Sequence, residues 1–243
     1  MIEVRDLTKR FGAVLAVDGV SFRAEDGAVT ALLGHNGAGK TTTLRAVYGL
    51  IRPDSGSASV DGIDVAVERR GVQARLGVLS EARGLYPRMT AREHLRYFAR
   101  LHGLDGSRVE DRCARLVDVL EMADIADRRA QGFSHGERTK VVLACALAHD
   151  PRNVILDEPT DGLDVMSTRA VRRLIRRLRD EGRCVVFSSH IMQEVAAVSD
   201  SIVILSAGRV VAAGTVDMLR ESTGKESLED VFVAITESQA EQA

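Results

Sequence analysis

The segment GHNGAGKT, residues 34–41, constrains the fold more than any other part of the sequence. It follows the apolar segment VTALL and precedes the helix-like segment TTLRAVYGL, so a strand turns directly into a helix. Its glycines let successive backbone N–H groups point inward around a phosphate chain, at the positive end of the following helix. Lys40 adds a charge for the β- and γ-phosphates, and the Thr41 hydroxyl can bind Mg²⁺. The candidate nucleotide-binding residues here are Gly34, His35, Asn36, Gly37, Ala38, Gly39, Lys40, Thr41 and Thr42.

The composition indicates a globular protein with balanced charge. Of 243 residues 45% are hydrophobic and 28% are charged, and the formal net charge is −2. This balance gives no general attraction to nucleic acid, so we expect no nucleic-acid partner. The longest apolar run, VVLACALA, is shorter than the ~18 residues of a membrane span, and the first residues lack a signal peptide's apolar core. Three cysteines without a CxxC pair suggest neither a zinc site nor disulfides, as is typical of the cytosol.

Short β-branched runs alternate with helical patterns, which predicts an α/β fold. The predicted strands are residues 29–33, 76–79, 154–156, 185–188 and 202–205, and residues 2–4, 20–24 and 58–60 predict an antiparallel layer. A stretch with helical patterns and no clear strand predicts a helical subdomain at about residues 83–150, inserted in the α/β core. We expect a domain of residues 1–220 and a tail of residues 221–243, with one short helix at SLEDVFVAI.

Two adjacent carboxylates, Asp157 and Glu158, follow the apolar segment NVIL. Ligands of α/β sheets bind at the carboxyl ends of strands, where these side chains are expected. Neighbouring side chains on an extended chain point in opposite directions, so the two can divide their roles. We expect Asp157 to reach Mg²⁺ and Glu158 to polarise the water that attacks the γ-phosphate. Alone this pattern favours a solvated strand end; combined with the phosphate-binding segment it favours catalysis.

A third apolar segment, CVVFSSH, ends at His190. A lone histidine at a strand end is more often structural than functional. Because two phosphate-directed motifs are already predicted at strand ends, we interpret His190 as a partner of the γ-phosphate and the attacking water.

These motifs together resemble those of the nucleotide-binding subunits of ATP-binding-cassette (ABC) transporters. GHNGAGKT, FSHGE, VILDEPT, DGLD and SSH occur in the family's order, and the resemblance covers about residues 1–220. It implies a P-loop NTPase core with an antiparallel β layer and an inserted helical subdomain, and ATP with Mg²⁺ as cofactors. It also implies that Phe11 stacks on adenine and that DGLD, residues 161–164, crosses a dimer interface.

The resemblance implies a mechanism that needs two such subunits. Two cassettes close head to tail around two ATP molecules, each held by the phosphate loop of one subunit and the signature motif of the other. FSHGE stands at the signature position, with Ser134 and Gly136 as candidate γ-phosphate contacts. Hydrolysis then loosens the contact. The implied partners are a second ATP-binding subunit, in a homodimer or heterodimer, and an integral membrane permease subunit, which gives a location at the cytoplasmic face of the cell membrane.

Two motifs depart from the family pattern. Glu81 stands where the family has a glutamine that contacts Mg²⁺; a carboxylate there can still bind the metal but adds negative charge beside the phosphates. In the signature, His135 replaces the first glycine and Glu137 replaces the glutamine. We interpret His135 as a tolerated replacement and not as a metal ligand. That its imidazole makes the dimer contact pH-sensitive is a hypothesis.

An arginine-rich helix follows DGLD. Its apolar stripe is Val171, Leu174, Ile175 and Leu178, and arginines cover much of the remaining surface. Such a face could bind nucleic acid or anionic lipid, but a solvated face with snorkelling side chains is the more common arrangement.

The leading functional hypothesis is the ATP-hydrolysing subunit of a membrane transporter. The segments RGLYPRMTAREHL and FSSHIMQEV resemble those of export-type cassettes, closest to the sodium-extruding and drug-exporting (ABC-2 type) subgroup. The alternative is a soluble ABC-type ATPase that acts on nucleic acid or the ribosome. It is disfavoured because the chain has one phosphate-binding segment and no heptad run. A regulatory module without turnover is disfavoured because Glu158 and His190 are both present.

Overall fold

Two β-sheets frame the part of the chain that the structure describes. The computed structural model describes residues 1–80 and 84–240, and of residues 238–240 the backbone alone. The strands are β1 (Ile2–Phe11), β2 (Val14–Ala24), β3 (Val29–Leu33), β4 (Ser55–Val60), β5 (Ile63–Asp64), β6 (Leu76–Leu79), β7 (Asn153–Asp157), β8 (Cys184–Ser189), β9 (Ser201–Ser206) and β10 (Arg209–Gly214). The helices are α1 (Lys40–Val47), α2 (Arg69–Arg75), α3 (Ala91–Leu101), α4 (Gly106–Val119), α5 (His135–Ala146), α6 (Val165–Asp180), α7 (Met192–Val198), α8 (Val216–Thr223) and α9 (Leu228–Ala240).

The larger sheet has the strand order β10-β9-β3-β8-β7-β6. Its neighbouring strands pair in parallel, except that β10 is antiparallel to β9. All residues of β3, β7 and β8 are buried. Leu33 of β3 faces one hydrophobic core and Leu32 faces another, so this strand is covered on both sides. Burial on both faces explains why these strands are nearly continuous apolar runs in the sequence.

The strand order brings three predicted motifs together. β8 lies between β3 and β7, with Leu33 paired to Ser189 and Asp157 paired to Ser188. In a parallel sheet the carboxyl ends lie at one edge, so the segments after β3, β7 and β8 are neighbours. Residues 34–41, Glu158 and His190 therefore meet at the same edge of the sheet.

The smaller sheet has the order β2-β1-β4-β5. Its neighbouring strands are antiparallel, which confirms the predicted antiparallel layer. β1 and β2 extend well beyond the predicted residues 2–4 and 20–24. Their outer parts contain many exposed or half-buried residues, so they are not apolar runs and were not predicted.

The segment between β6 and β7 contributes α3, α4 and α5, and the described residues within it contain no strand. α3 packs against both α4 and α5. The predicted helical segment is thus confirmed. Within the described residues, none of the helices combines the length and the hydrophobicity that a membrane crossing requires.

The arginine face of α6 contacts neighbouring protein groups. Arg173 and Arg177 pair with Glu121 and Glu181, and the Arg176 guanidinium donates to the carbonyl of Ala197. Arginines held in this way are less available to phosphate groups of a nucleic acid or lipid. These contacts favour the structural interpretation of this face.

The chain beyond β10 forms α8 and α9, and the helix predicted at SLEDVFVAI is confirmed. Leu228, Val231 and Phe232 of α9 are buried in the core that also contains Leu33. The division into a domain of residues 1–220 and a tail of residues 221–243 stays a prediction.

Two histidine rings join the end of α3 to the connection between α5 and β7. His102 and His149 stack with 3.7 Å between their ring centroids and 7° between their planes. Burial lowers the pKa of His102. Burial, with the charge of His102, lowers the pKa of His149 to about 4. Both effects favour the neutral rings, which can stack without repulsion.

The histidine stack predicts a loss of stability in mild acid. The folded-state pKa of His149 lies below the ordinary unfolded value of about 6.5. The unfolded chain therefore binds this proton first as the pH falls, and stability declines between about pH 6.5 and 4. We expect urea unfolding at pH 7 and pH 5 to show a smaller loss in His149→Gln than in the wild type. His135→Gln, at an exposed histidine, serves as the control. Equal losses in the wild type and His149→Gln would contradict the assignment.

Candidate active site

A cavity of about 910 Å³ lies at the carboxyl ends of β3, β7 and β8. It brings together the three motifs that the sequence predicted at strand ends. Its lining consists of Val14, Leu15, Ala16, His35, Asn36, Gly37, Ala38, Gly39, Lys40, Thr41, Thr42, His135, Arg138, Asp157, Glu158, Asp161, His190 and Ala207.

The loop between β3 and α1 needs glycine at two close approaches. A Cβ on Gly34 would lie 2.4 Å from the carbonyl oxygen of Leu205. At Gly39 φ is 98°, and a Cβ would lie 2.6 Å from the carbonyl oxygen of Ala16. At Gly39 only glycine fits both the left-handed backbone and the close contact, and at Gly34 the contact alone excludes a side chain. These glycines hold the loop against β9 and β2 at the start of α1, where backbone N–H groups favour an anion.

Lys40 is the first residue of α1 and is 5% exposed. Its Nζ donates to the carbonyl oxygens of Gly34 and His35 at 2.6 Å and 3.2 Å. The same Nζ lies 3.2 Å from Oε1 of Glu158. A buried ammonium group is costly unless it is paired, and these contacts meet that requirement. The lysine charge is therefore held inside the loop and beside the predicted catalytic carboxylate.

Glu158 links Lys40 to His190. Nδ1 of His190 lies 3.0 Å from Oε2 of Glu158. Because a carboxylate accepts hydrogen bonds, Nδ1 is assigned the hydrogen, which leaves Nε2 for another group. The carboxylate of Glu158 thus bridges two groups that can be cationic, at the cavity surface.

Asp157 and Glu158 do point in different directions, but the predicted cause, alternation along an extended chain, is wrong. Asp157 ends β7, but Glu158 has φ 45°, in the left-handed region and outside the extended one. The side chains diverge because the backbone turns at Glu158, and strand alternation does not continue through it. A left-handed backbone at a residue other than glycine is uncommon, and such strain clusters at functional sites.

Asp157 is fully buried, and its two oxygens differ. Oδ1 accepts from the hydroxyls of Ser188 at 2.6 Å and Thr41 at 3.2 Å. Oδ2 has no hydrogen-bond partner among the described residues. A buried carboxylate oxygen without a partner is costly, and a cation beside Thr41 would remove that cost. Mg²⁺ commonly binds one or two protein oxygens and completes its shell with phosphates and water, so Thr41 and Asp157 fit this metal.

Ser188 is a functional residue that the sequence analysis did not single out. Its hydroxyl donates to Asp157 and accepts from the backbone N–H of Glu158 at 2.9 Å. It therefore orients both adjacent carboxylates. The signal was present in the sequence, since Ser188 belongs to the strand-end segment SSH, but its role depends on the pairing of β7 with β8.

A largely buried polar network joins the segment after Glu158 to α6 and α7. The Thr160 hydroxyl donates to Glu194 of α7, whose carboxylate is 3.6 Å from the Arg172 guanidinium of α6. Thr160 follows Glu158 by two residues, and Glu194 follows His190 by four. The network links the two segments that supply the Glu158–His190 pair, and periodicity alone could not have predicted it.

The signature segment begins α5. Ser134 is the N-cap, and its hydroxyl accepts from the backbone N–H of Glu137 while the Glu137 carboxylate accepts from the backbone N–H of Ser134. Burial raises the pKa of Glu137, but hydrogen bonds from Ser134 and Arg128 outweigh it, so the net shift is downward. The replacement of glutamine by Glu137 therefore completes a charged capping box.

Gly136 and His135 contact the segment after β7. A Cβ on Gly136 would lie 2.8 Å from Oγ of Ser167, so the residue also permits close packing of α5 on α6. Nε2 of His135 lies 3.0 Å from the carbonyl oxygen of Asp161 and must donate to it. Both the neutral ring in this tautomer and the charged ring can make this bond. The bond alone therefore gives no pH dependence, and the pH sensitivity of His135 stays a hypothesis.

Phe11 and Glu81 are two further predicted site residues. Phe11 ends β1, is 49% exposed and pairs with Val14, which lines the cavity. An exposed ring beside the cavity lining can stack on a base, and its role with adenine stays a prediction. Glu81 lies outside the described residues, so its metal role stays a prediction as well.

The protein-family model for ABC transporters matches residues 17–161 of this chain. The chain belongs to the ABC transporter family. It is 43% identical over 239 residues to the ABC transporter ATP-binding protein NatA of Bacillus subtilis (strain 168), covering 96% of this chain and 97% of that protein. It is 36% identical over 231 residues to the daunorubicin resistance ATP-binding protein DrrA3 of Streptomyces coeruleorubidus, covering 95% and 73%.

A solved ATP-binding subunit of an ABC transporter superposes with a TM-score of 0.89 at 32% identity, covering 97% of this chain and 99% of that one. The predicted family and the predicted α/β fold of the ABC ATPases are confirmed. The roles of individual residues rest on the geometry described above.

The double hydrogen bond of Ser188 predicts a measurable stability effect. We expect Ser188→Ala to lower the free energy of unfolding by about 1–3 kcal/mol, because it removes a donor from the buried Asp157 carboxylate and an acceptor from the Glu158 N–H. Ser201→Ala is the control, since it removes a hydroxyl pair with Thr30 in the same sheet but no bond to a carboxylate. Urea unfolding that shows equal losses for the two variants would contradict the role of Ser188.

Proposed function

We propose that this chain is the ATP-hydrolysing subunit of an ABC membrane transporter. The observation that carries the proposal is the position of Glu158, which is held between Lys40 and His190 beside the glycine-rich loop. This arrangement places a candidate base next to a phosphate site. The family membership described above supports the same function.

ATP binding uses the loop and the start of α1. Backbone N–H groups of the loop surround the β- and γ-phosphates. The Lys40 ammonium group exchanges its contacts with Glu158 and the loop carbonyls for contacts with phosphate oxygens. The adenine base stacks on Phe11. Thr41 and Asp157, together with Glu81 as a third candidate, would hold Mg²⁺, and this ion would supply positive charge beside the phosphates.

Hydrolysis uses Glu158 as the general base. Glu158 takes a proton from water as the water oxygen bonds to the γ-phosphorus, and the bond from that phosphorus to the β–γ bridging oxygen breaks. The products are ADP and inorganic phosphate. Once Lys40 binds ATP instead of Oε1 of Glu158, that carboxylate oxygen can accept the proton.

His190 positions Glu158 through Nδ1 and presents Nε2 to the γ-phosphate. With Nδ1–H bound to Glu158, only the charged ring can also donate from Nε2. The same residue thus orients the base and binds the group that hydrolysis releases.

The signature segment serves the ATP of a second subunit. Ser134 and His135 are exposed at the start of α5, where backbone N–H groups and the Ser134 hydroxyl hydrogen can bind a γ-phosphate. Two cassettes in a homodimer or heterodimer therefore close around ATP and separate after hydrolysis. An integral membrane permease subunit carries the transported solute, and the chain lies against it at the cytoplasmic face of the membrane.

Export is the proposed direction of transport. One relative is named for daunorubicin resistance, and the segments RGLYPRMTAREHL and FSSHIMQEV resemble those of sodium-extruding and drug-exporting cassettes. A sodium ion or a drug-like molecule is the proposed solute class, and its identity depends on the permease.

Glu158→Gln tests the proposed function directly. We expect ATP turnover to fall by about 10²-fold or more, because the amide cannot take the proton, while ATP binding persists. The variant should also accumulate as an ATP-bound dimer in size-exclusion chromatography. Glu121→Gln, at an exposed carboxylate paired with Arg173, should retain turnover. Wild-type turnover in Glu158→Gln would refute the assignment of the base.

A further inference from the structure

The helix α9 reaches the phosphate-binding loop. Phe232 of α9 is 1% exposed, and its ring meets that of His35 edge to face, with 4.8 Å between centroids and 88° between planes. Its neighbour Val231 and the more distant Leu228 are also buried in the core. The contact therefore joins an exposed loop residue to a firmly packed helix.

His35 occupies a sensitive place in the loop. Its carbonyl oxygen accepts from the Lys40 ammonium group at 3.2 Å and from the backbone N–H of Ala38 at 3.1 Å. A displacement of His35 would therefore alter both the curvature of the loop and the position of the lysine charge. Edge-to-face aromatic contacts favour a defined relative orientation, which restricts that displacement.

α9 also contacts the helix that follows His190. Nε2 of Gln193 on α7 donates to Oε1 of Glu229 on α9 at 2.5 Å. α9 thus touches both sides of the cavity: the loop expected to hold the phosphates and the helix that follows the γ-phosphate contact. The sequence-based division at residue 220 does not assign α9 any part in this site.

We propose that Phe232 is a positioning residue for nucleotide binding, which holds the phosphate-binding loop in its binding geometry through the ring of His35. This inference rests on the proposed nucleotide-binding function of that loop. Phe232 does not touch the nucleotide itself. Because coupling between two sites is reciprocal, bound nucleotide also stabilises α9.

The test measures nucleotide affinity in the full-length chain. Phe232→Leu keeps an apolar side chain in the core but removes the ring, and we expect the Kd for ADP and the KM for ATP to rise about two- to tenfold. The kcat should stay within about twofold, since the loss concerns binding geometry and leaves Glu158 in place. Val233→Ala, at the adjacent 48% exposed position, is the control and should leave Kd and KM unchanged.

His35→Ala approaches the same contact from the loop and leaves the core intact. We expect a similar rise in Kd, and the double variant should bind no more weakly than the weaker of the two single variants, because both remove one contact. This variant keeps the test decisive if Phe232→Leu fails to fold. Hydrogen exchange gives a second measurement: ADP should slow exchange of α9 amides in the wild type and much less in Phe232→Leu.

Unchanged Kd and KM in both single variants would overturn the role of Phe232, provided that the wild type binds ADP. Fully additive effects in the double variant would also overturn it, because they would show two independent contributions. A wild-type chain that binds neither ADP nor ATP would instead refute the proposed function on which this inference rests.

Discussion

The position of β8 between β3 and β7 is the constraint on which the site depends. Parallel pairing brings three strand ends to one edge, so the loop before Lys40, the Asp157–Glu158 pair and His190 become neighbours although they are far apart in the chain. The hydrogen bonds of Ser188 then link the ends of β7 and β8 directly. Any shift in this register would separate the phosphate-binding loop from the carboxylates. The strand order therefore determines which side chains can act together at this site.

The charges at this edge are largely compensated within one chain. Lys40 and Asp157 are both buried, and an isolated buried charge would cost several kcal/mol. Lys40 is paired with Glu158 and two carbonyls, and Asp157 accepts two hydroxyl donors through Oδ1. Oδ2 is the oxygen left without a partner among the described residues, on the side chain expected to reach a metal. The side chains of the site are thus preorganised, and Oδ2 of Asp157 is the atom that a cation would contact. Preorganisation of this kind lowers the free-energy cost of binding a ligand.

Much of this architecture could be predicted from the sequence because its signals are local. β3 and β6 have the predicted bounds, and β7, β8 and β9 extend the predicted strands by one residue at each end, since buried parallel strands are distinct apolar runs. β10 was not predicted because RVVAAG is short and rich in small residues. The roles of Ser188, Glu194 and Phe232 depend on contacts between distant segments, which no local pattern encodes. The left-handed turn at Glu158 was not predicted for a related reason. Strand alternation predicts an extended backbone there, and the surrounding structure imposes a left-handed one.

In the proposed function, Asp157 and the phosphate-binding loop form one metal–nucleotide site. The most direct measurement is the Kd for ATP by calorimetry, with Mg²⁺ and with EDTA, in the wild type and in Asp157→Asn. Asp124→Asn, at an exposed position away from the cavity lining, is the matched control. We expect Mg²⁺ to tighten ATP binding in the wild type and in the control, and Asp157→Asn to remove most of this gain while metal-free binding persists. A full Mg²⁺ effect in Asp157→Asn would contradict this expectation.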